Sequence, residues 1–199
     1  SADITEIDTP ALVVSLFRGC KRPGGATGAV DQALGGLITD LIKDGEIKGG
    51  AGETTLIHTL GKIKARRVLV VGLGPQDKFD SQVVRRVSAE VVRFMRRKGI
   101  SKATTIAHGA GIGGLDPQAS GQAIAEGAHL GLYKFGSYLT KEDNSTNKFE
   151  KLTVVEQDKD RATAIAAGVK LGSTYAQASI IARNMVNEPA NHMTPSRMA

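Results

Sequence analysis

Short runs of apolar residues, separated by polar and glycine-rich stretches, recur along the first 156 residues of the chain. Two runs, at residues 11–17 and 67–73, are almost continuously apolar, which is typical of strands buried inside α/β proteins. Three further runs, at residues 54–60, 103–108 and 151–156, have the length of a strand. The pattern therefore predicts five β-strands.

Between these runs, apolar residues follow the 3.6-residue period of an amphipathic helix. This period predicts helices over residues 27–43, 81–98 and 117–132. Ser81 is the expected cap of the second helix, and Gly99 is expected to end it in a left-handed conformation. Pro117 suits the first position of the third helix. Strands that alternate with helices predict a layered α/β sandwich.

A longer helical pattern begins near Asp158 or Asp160 and ends before Pro189. About 27 residues at a rise of about 1.5 Å give a helix of roughly 40 Å. This exceeds the average length of a globular helix and is a length at which a helix can bridge two lobes.

Composition restricts the class of protein. The 199 residues are 41% hydrophobic and 23% charged, which fits one globular domain with an appended linker. Cys20 is the only cysteine, so neither a disulfide nor a cysteine-based metal site can form within the chain. The amino-terminal residues lack a signal-peptide pattern, and no apolar run has the length of a membrane span. We therefore expect a cytoplasmic location and no membrane partner.

Motifs that would carry chemistry are weak. Gly72-Leu73-Gly74 follows a strand, where a phosphate loop would lie, but Asp77 stands where a dinucleotide fingerprint needs its third glycine. Glu126 and His129 have the spacing of a di-iron helix, but only one copy is present. The other histidines, His58, His108 and His192, have no partner at the spacing of metal ligands. The sequence predicts no catalytic, cofactor-binding or metal-binding residue.

Basic residues are concentrated between residues 62 and 102, which carry twelve basic and three acidic side chains. This segment has a charge of +9, whereas the whole chain carries +6. Arg86, Arg93 and Arg97 fall on one stripe of the predicted helix 81–98, as binding to a phosphate backbone would require. Surface pairing with Glu90, or contact with another domain or subunit, would explain the same charges.

Four segments, in order along the chain, resemble the leucyl (cytosol) aminopeptidase family. Residues 45–53 read Gly-Glu-Ile-Lys-Gly-Gly-Ala-Gly-Glu, and residues 67–74 read Arg-Val-Leu-Val-Val-Gly-Leu-Gly. Residues 126–135 read Glu-Gly-Ala-His-Leu-Gly-Leu-Tyr-Lys-Phe. Residues 182–191 read Ala-Arg-Asn-Met-Val-Asn-Glu-Pro-Ala-Asn and are followed by Met-Thr-Pro at 193–195, as at the family's junction between helix and catalytic domain.

The resemblance implies a two-domain exopeptidase that releases amino-terminal residues, often leucine, and assembles as a hexamer. Two divalent ions, Mn²⁺ or Zn²⁺, act in the family's second domain, where they polarise the scissile carbonyl and supply a hydroxide. The family's first domain is a three-layer α/β/α sandwich with a mixed sheet, similar to macro domains. The signature Asn-Thr-Asp-Ala-Glu-Gly-Arg-Leu of the second domain does not occur in this chain.

The resemblance thus predicts a non-catalytic N-terminal domain at residues 1–157, a linker helix at 158–186 and the start of a catalytic domain at 187–199. The domain would serve assembly and regulation, and its partners would be its own catalytic domain, other subunits and, for the whole enzyme, peptides. Two alternatives remain. One is a DNA-binding module that uses the basic helix 81–98, since some bacterial members of the family bind DNA. The other is a macro-like domain that binds ADP-ribose near Gly72–Gly74.

Overall fold

The computed structural model describes residues 4–111, 113–138, 147–189 and 191–194. Its strands are β1 (Leu12–Leu16), β2 (Thr54–His58), β3 (Arg67–Gly72), β4 (Lys102–Ile106) and β5 (Lys151–Val155). They form one sheet in the order β2-β3-β1-β4-β5. Strand β2 runs antiparallel to β3 at one edge, and the other neighbouring strands are parallel. The five predicted strands and the mixed sheet are confirmed.

Helices cover both faces of this sheet. They are α1 (Gly25–Ala33), α2 (Leu37–Lys43), α3 (Ser81–Arg97), α4 (Pro117–Leu132) and α5 (Lys159–Asn187). Leu12, Val14 and Leu16 of β1 pack in one hydrophobic core with residues of α1 and α2. Val13 between them packs in a second core with residues of α3. The alternation of side chains along β1 thus separates two cores, which confirms the three-layer sandwich.

The predicted helix over residues 27–43 is wrong in one respect, because the structure contains two helices there. Gly35 and Gly36 both have positive φ angles, of 76° and 84°, which side chains with a Cβ rarely adopt. The buried Asp31 then caps α2: its carboxylate accepts from the Ile38 and Thr39 N–H groups at 2.8 and 3.1 Å. Two adjacent glycines inside an apolar period were the signal of the break.

Helix ends follow the expected chemistry with one correction. Asp80, not Ser81, caps α3, and its Oδ1 accepts from the Val83 N–H at 2.9 Å. Gly99 follows α3 with a φ of 68°, as predicted. Asp158, one of the two expected caps, accepts from the Arg161 N–H at 2.8 Å at the start of α5.

Glycines bring α3, α4 and α5 into close contact. On α4, Gly127 and Gly131 lie against Arg85 and Ala89 of α3, and Gly121 lies against Ile165 of α5. On α5, two further glycines lie against the α4 backbone: Gly168 at Gln118 and Gly172 at Gln122. A Cβ at any of these positions would overlap backbone atoms of the neighbouring helix. The helices therefore pack at a separation that only glycine permits.

We expect Gly168→Ala to destabilise the fold, because its methyl group would overlap the Gln118 carbonyl and force the two helices apart. Overpacking costs about 1–3 kcal/mol or more, against a gain of about 1 kcal/mol in helix propensity. A net loss of about 2 kcal/mol would lower the melting temperature by roughly 4–8 °C in a calorimetric scan.

Gly50→Ala is the matched control, since the nearest atom to its added Cβ would be a Glu53 carboxylate oxygen at 3.5 Å. Its melting temperature should stay close to that of the wild type. Equal melting temperatures for Gly168→Ala and the wild type would contradict the packing described for α4 and α5.

Candidate functional site

A cavity of about 1050 Å³ opens at the carboxyl ends of the parallel strands. Leu16, Leu73, Ile106 and Val155 line it, each at or next to the end of β1, β3, β4 and β5 respectively. Strand β1 leads to α1 on one face of the sheet, whereas its neighbours β3 and β4 lead to α3 and α4 on the other. Chains that leave in opposite directions create a crevice, which is where open α/β sheets bind ligands.

The walls of this cavity combine apolar and cationic groups. Ile4, Ile7 and Ile106 belong to the core beneath α1 and form part of the apolar wall. The residues of the β1–α1 connection form another part and include Arg18 and Arg22. At the start of α1 the cap position is Gly24, and no side chain of the described residues caps the first turn. The free N–H groups of such a turn favour an anion.

Arg161 adds a third guanidinium to the wall. Its Nη2 donates to the Glu156 carboxylate at 3.1 Å, and its Nε is buried with no acceptor in the described part of the chain. Glu156 also accepts from the Gln157 N–H at 2.8 Å. The negative charge of Glu156 is therefore compensated locally, and the cavity retains a positive excess.

The Gly72-Leu73-Gly74 loop, whose motif is too weak to predict a phosphate site, makes structural contacts. Gly72 and Gly74 pack against the backbone of residues 49–51, and the Gly74 N–H donates to the Gly49 carbonyl at 2.9 Å. Leu73 is the residue of this loop that lines the cavity. A different sequence signal could have located the cavity wall: Arg22-Pro23-Gly24-Gly25 follows a strand and opens a helix, but it was not singled out in the sequence.

The three arginines predicted as nucleic-acid contacts lie in different environments. Arg86 and Arg97 are exposed. Arg93 is half-buried, and its Nη2 donates to the Glu90 carboxylate at 2.5 Å. Surface pairing with Glu90, the alternative to phosphate binding, thus accounts for the charge of Arg93 but not for those of Arg86 and Arg97.

A shallow groove between α3 and α4 brings further basic residues together. Arg86 and Arg93 line it together with Arg85 and with Arg183 of α5. Arg85 is held by Glu126, whose carboxylate accepts from the Arg85 Nε at 2.5 Å. Arg183 lies over the Tyr133 ring, 5.6 Å from its centroid. Arg183 is distant in sequence from the basic segment, so the sequence pattern did not reveal it.

Histidine and carboxylate residues form no metal site in the parts of the chain that the structure describes, since no three of His, Cys, Asp and Glu are grouped to hold an ion. Glu126 pairs with Arg85, and the His129 ring lies 3.3 Å from the Ser173 hydroxyl. His108 is buried, with its Nε2 3.0 Å from the Thr105 hydroxyl, and this burial lowers its pKa to about 4.

Two of the family-like segments meet where α4 ends. The Tyr133 hydroxyl donates to the Asn184 side chain at 2.9 Å and accepts from the Asn187 amide at 3.2 Å. The Tyr138 hydroxyl donates to the Glu188 carboxylate at 2.5 Å. The segment 126–135 and the residues that follow it therefore hold the carboxyl end of α5.

Beyond these contacts, α5 exposes apolar side chains. The last buried residue of the helix is Ala176. Tyr175, Ile181, Met185 and Val186 are exposed to 52%, 58%, 37% and 85%. None of the helices that the structure describes is both long and apolar enough to cross a lipid bilayer.

The family model described as "Cytosol aminopeptidase family, N-terminal domain" matches residues 13–142. A probable cytosol aminopeptidase of Alkaliphilus oremlandii is 36% identical over 199 residues, which cover 98% of this chain and 39% of the relative. Among solved structures, a mutant of tomato leucine aminopeptidase superposes with a TM-score of 0.73 at 17% identity, over 100% of this chain and 39% of that one. An Oceanobacillus iheyensis macrodomain superposes with a TM-score of 0.64 at 13% identity, over 85% and 87% of the two chains.

The solved structures define the class of fold, a macro-like α/β/α domain. The family match and the curated relative define the family: the chain belongs to the cytosol aminopeptidases and corresponds to their N-terminal domain. It spans 39% of the length of that relative. The resemblance in the four sequence segments is thereby confirmed.

We expect the stability of the chain to fall as the pH drops from about 6.5 to 4. Over this range His108 binds a proton in the unfolded chain, whereas the buried imidazole of the folded chain stays neutral. The free energy of unfolding therefore falls by an amount on the order of a few kcal/mol. His108→Gln keeps a nitrogen near the Thr105 hydroxyl and removes the titration. Urea unfolding at pH 7 and pH 5 should show a smaller difference between the two pH values for this variant.

His58→Gln, at an exposed position of β2, is the matched control, and its stability should follow the wild-type pH dependence. Identical pH dependences for His108→Gln and the wild type would show that the buried imidazole does not govern acid sensitivity.

Proposed function

We propose that this domain is the non-catalytic part of a metallo-aminopeptidase that removes amino-terminal residues, often leucine, from peptides. The observation that supports the proposal is the match of almost the whole chain to 39% of a cytosol aminopeptidase. The described residues offer no group of ligands for a metal ion. We therefore assign the two divalent ions, Mn²⁺ or Zn²⁺, and the hydrolysis to a separate catalytic domain.

The role of the present domain is assembly. We propose that residues 158–186 form the linker to the catalytic domain, which starts at residues 187–199; of these, 190 and 195–199 lie outside the described residues. The apolar side chains on the carboxyl half of α5, Ile181 and Val186 among them, support this role, because they are exposed in the part of the chain that the structure describes. By family resemblance, the whole enzyme is a cytoplasmic hexamer.

The 199-residue chain alone should not hydrolyse leucine p-nitroanilide with added Mn²⁺ or Zn²⁺. In a fusion protein, this chain replaces the region of the Alkaliphilus oremlandii relative with which it aligns, and the remainder of that relative follows. This fusion should show metal-dependent turnover. In this fusion, Ile181→Asp should lower the turnover and the assembly state, because it places a charge in the surface that the catalytic domain covers.

Gln177→Asp is the matched control: it adds the same charge at an exposed polar position of α5 and should leave the turnover unchanged. Turnover by the chain alone that a chelator abolishes would contradict the non-catalytic assignment. Equal losses from Ile181→Asp and Gln177→Asp would contradict the proposed docking face.

DNA binding is a second candidate, supported by the basic groove between α3 and α4. Arg86 in this groove and the nearby Arg97 are exposed, and neither makes an ion pair within the described residues. Exposed guanidinium groups on one helix suit contacts to successive phosphates. Arg93 contributes less under this hypothesis, because Glu90 already pairs with it.

Under the DNA hypothesis, the logarithm of duplex affinity should fall linearly with the logarithm of salt concentration, by about 0.9 for each phosphate contacted. Charge reversal of both Arg86 and Arg97 should weaken binding at least about tenfold and flatten this slope. Lys43→Glu on α2, which packs on the opposite face of the sheet, should have little effect. Binding that survives the double reversal would contradict the hypothesis.

A further inference from the structure

We propose that the turn after β2 is a docking site, in which Leu60 inserts into an apolar pocket rimmed by carboxylates on the catalytic domain of a neighbouring subunit. The inference rests on the proposed function, since it requires a catalytic domain and an oligomer. Three properties of the turn support it: a leucine in a strained conformation, a rigid support and a surplus of positive charge.

Leu60 occupies a position that disfavours leucine. The Lys62 N–H donates to the Thr59 carbonyl at 3.0 Å, which closes a tight turn with Leu60 and Gly61 at its centre. Both central residues have positive φ angles, of 50° and 83°, as in a type I′ turn, where Asn, Asp and Gly are preferred. Leu60 is the only non-glycine residue with a positive φ in the part of the chain that the structure describes. Backbone strain of this kind is concentrated at functional positions.

The side chain of Leu60 is also exposed to 91%, the highest value among the exposed large apolar residues of the described chain. A single exposed leucine is ordinary on a protein surface, but one that also strains its backbone is not. Asparagine would suit the turn and place no apolar surface in water. Burial of the leucine against a partner would gain hydrophobic free energy, so this residue suits a contact outside the domain.

The turn is held rigidly, so that Leu60 is presented in one orientation. Thr59 is buried, and its hydroxyl donates to the Ala65 carbonyl at 2.7 Å. The Lys62 Nζ donates to the Leu34 carbonyl, at the end of α1, at 3.1 Å. An apolar side chain on a preorganised turn loses little conformational entropy on binding, which favours its use as an anchor.

The surroundings of Leu60 are strongly basic. Lys64 pairs with the Glu6 carboxylate at 2.7 Å, whereas Arg66 is exposed and makes no ion pair within the described residues. The whole chain carries +6, so a second copy of this domain would repel the surface. Charge complementarity therefore favours a partner pocket with an acidic rim. Residues 59–67 contain four basic side chains and no acidic one: Lys62, Lys64, Arg66 and Arg67.

The place of the turn in the fold indicates which part of the enzyme covers it. Strands β2 and β5 are the two edges of the sheet, four strand spacings or about 19 Å apart. Helix α5, the proposed linker to the chain's own catalytic domain, follows β5 and packs against α4. The turn lies at the other edge and beside α1, on the other face of the sheet. We therefore assign the contact to the catalytic domain of another subunit.

The experiment uses the fusion with the Alkaliphilus oremlandii relative described above. A leucine analogue that carries a photoreactive diazirine is incorporated at position 60. Illumination should link two polypeptides covalently, which denaturing electrophoresis detects. Peptide mapping should place the other end of the link in the catalytic domain.

Leu60→Asn separates docking from folding. Because Asn suits the turn, the melting temperature of the 199-residue chain should rise by about 2–4 °C. In the fusion, the same variant should raise the concentration at which the oligomer half-dissociates at least about tenfold, as measured by analytical ultracentrifugation. Leu60→Met keeps an apolar side chain and should assemble like the wild-type fusion.

Arg66→Gln tests the acidic rim and should weaken assembly about threefold, as expected for an exposed ion pair. Arg97→Gln on α3 removes the same charge on the opposite face of the sheet and should leave assembly unchanged.

A wild-type fusion without metal-dependent turnover would contradict the proposed function, on which this inference depends. An active fusion would overturn the inference alone in any of three cases. These are a fusion that stays monomeric, a Leu60→Asn variant that assembles like the wild type, and a position 60 that links to no second chain or only to another N-terminal domain.

Discussion

The parallel alignment of β1 with β3 and β4, and of β4 with β5, is the constraint on which the rest of the structure depends. Parallel strands need crossover helices, and these helices produce the layers on both faces. The same alignment places four carboxyl ends on one edge. Because β1 sends its chain to the opposite face from its two neighbours, the edge opens between them, and the cavity is a consequence of topology.

Glycine contacts determine how closely the layers pack. The family-like segments form two pairs in space. The first pair is residues 45–53 against 67–74, where Gly72 lies against the backbone of Gly49 and Gly50. The second pair is residues 126–135 against 182–191, joined through Tyr133 and Asn184. The segments by which the family was first identified thus carry structural contacts between elements.

Much of the fold could be predicted from the sequence, because the strands have strong apolar patterns and most helix ends have conventional caps. The break at Gly35 and Gly36 was missed because the apolar period continues across it, although the two adjacent glycines signal it and the buried carboxylate of Asp31 caps the new helix. The cavity was harder to predict. Arg18, Arg22 and Arg161 are brought together by sheet order, and a single sequence does not encode that order in any local pattern. For the same reason Arg183 could not be associated with Arg86 and Arg93.

The bonds from Tyr133 to Asn184 and Asn187 have a mechanical consequence. Eleven residues of α5 follow its last buried side chain, which corresponds to about 16 Å of helix. Without further contacts, a small tilt of α5 at its glycine contact with α4 would displace the carboxyl end of the helix by a larger distance. Tyr133 supports this segment near its carboxyl end, so its phenol ring and the two amide side chains help to fix the direction of the end of α5.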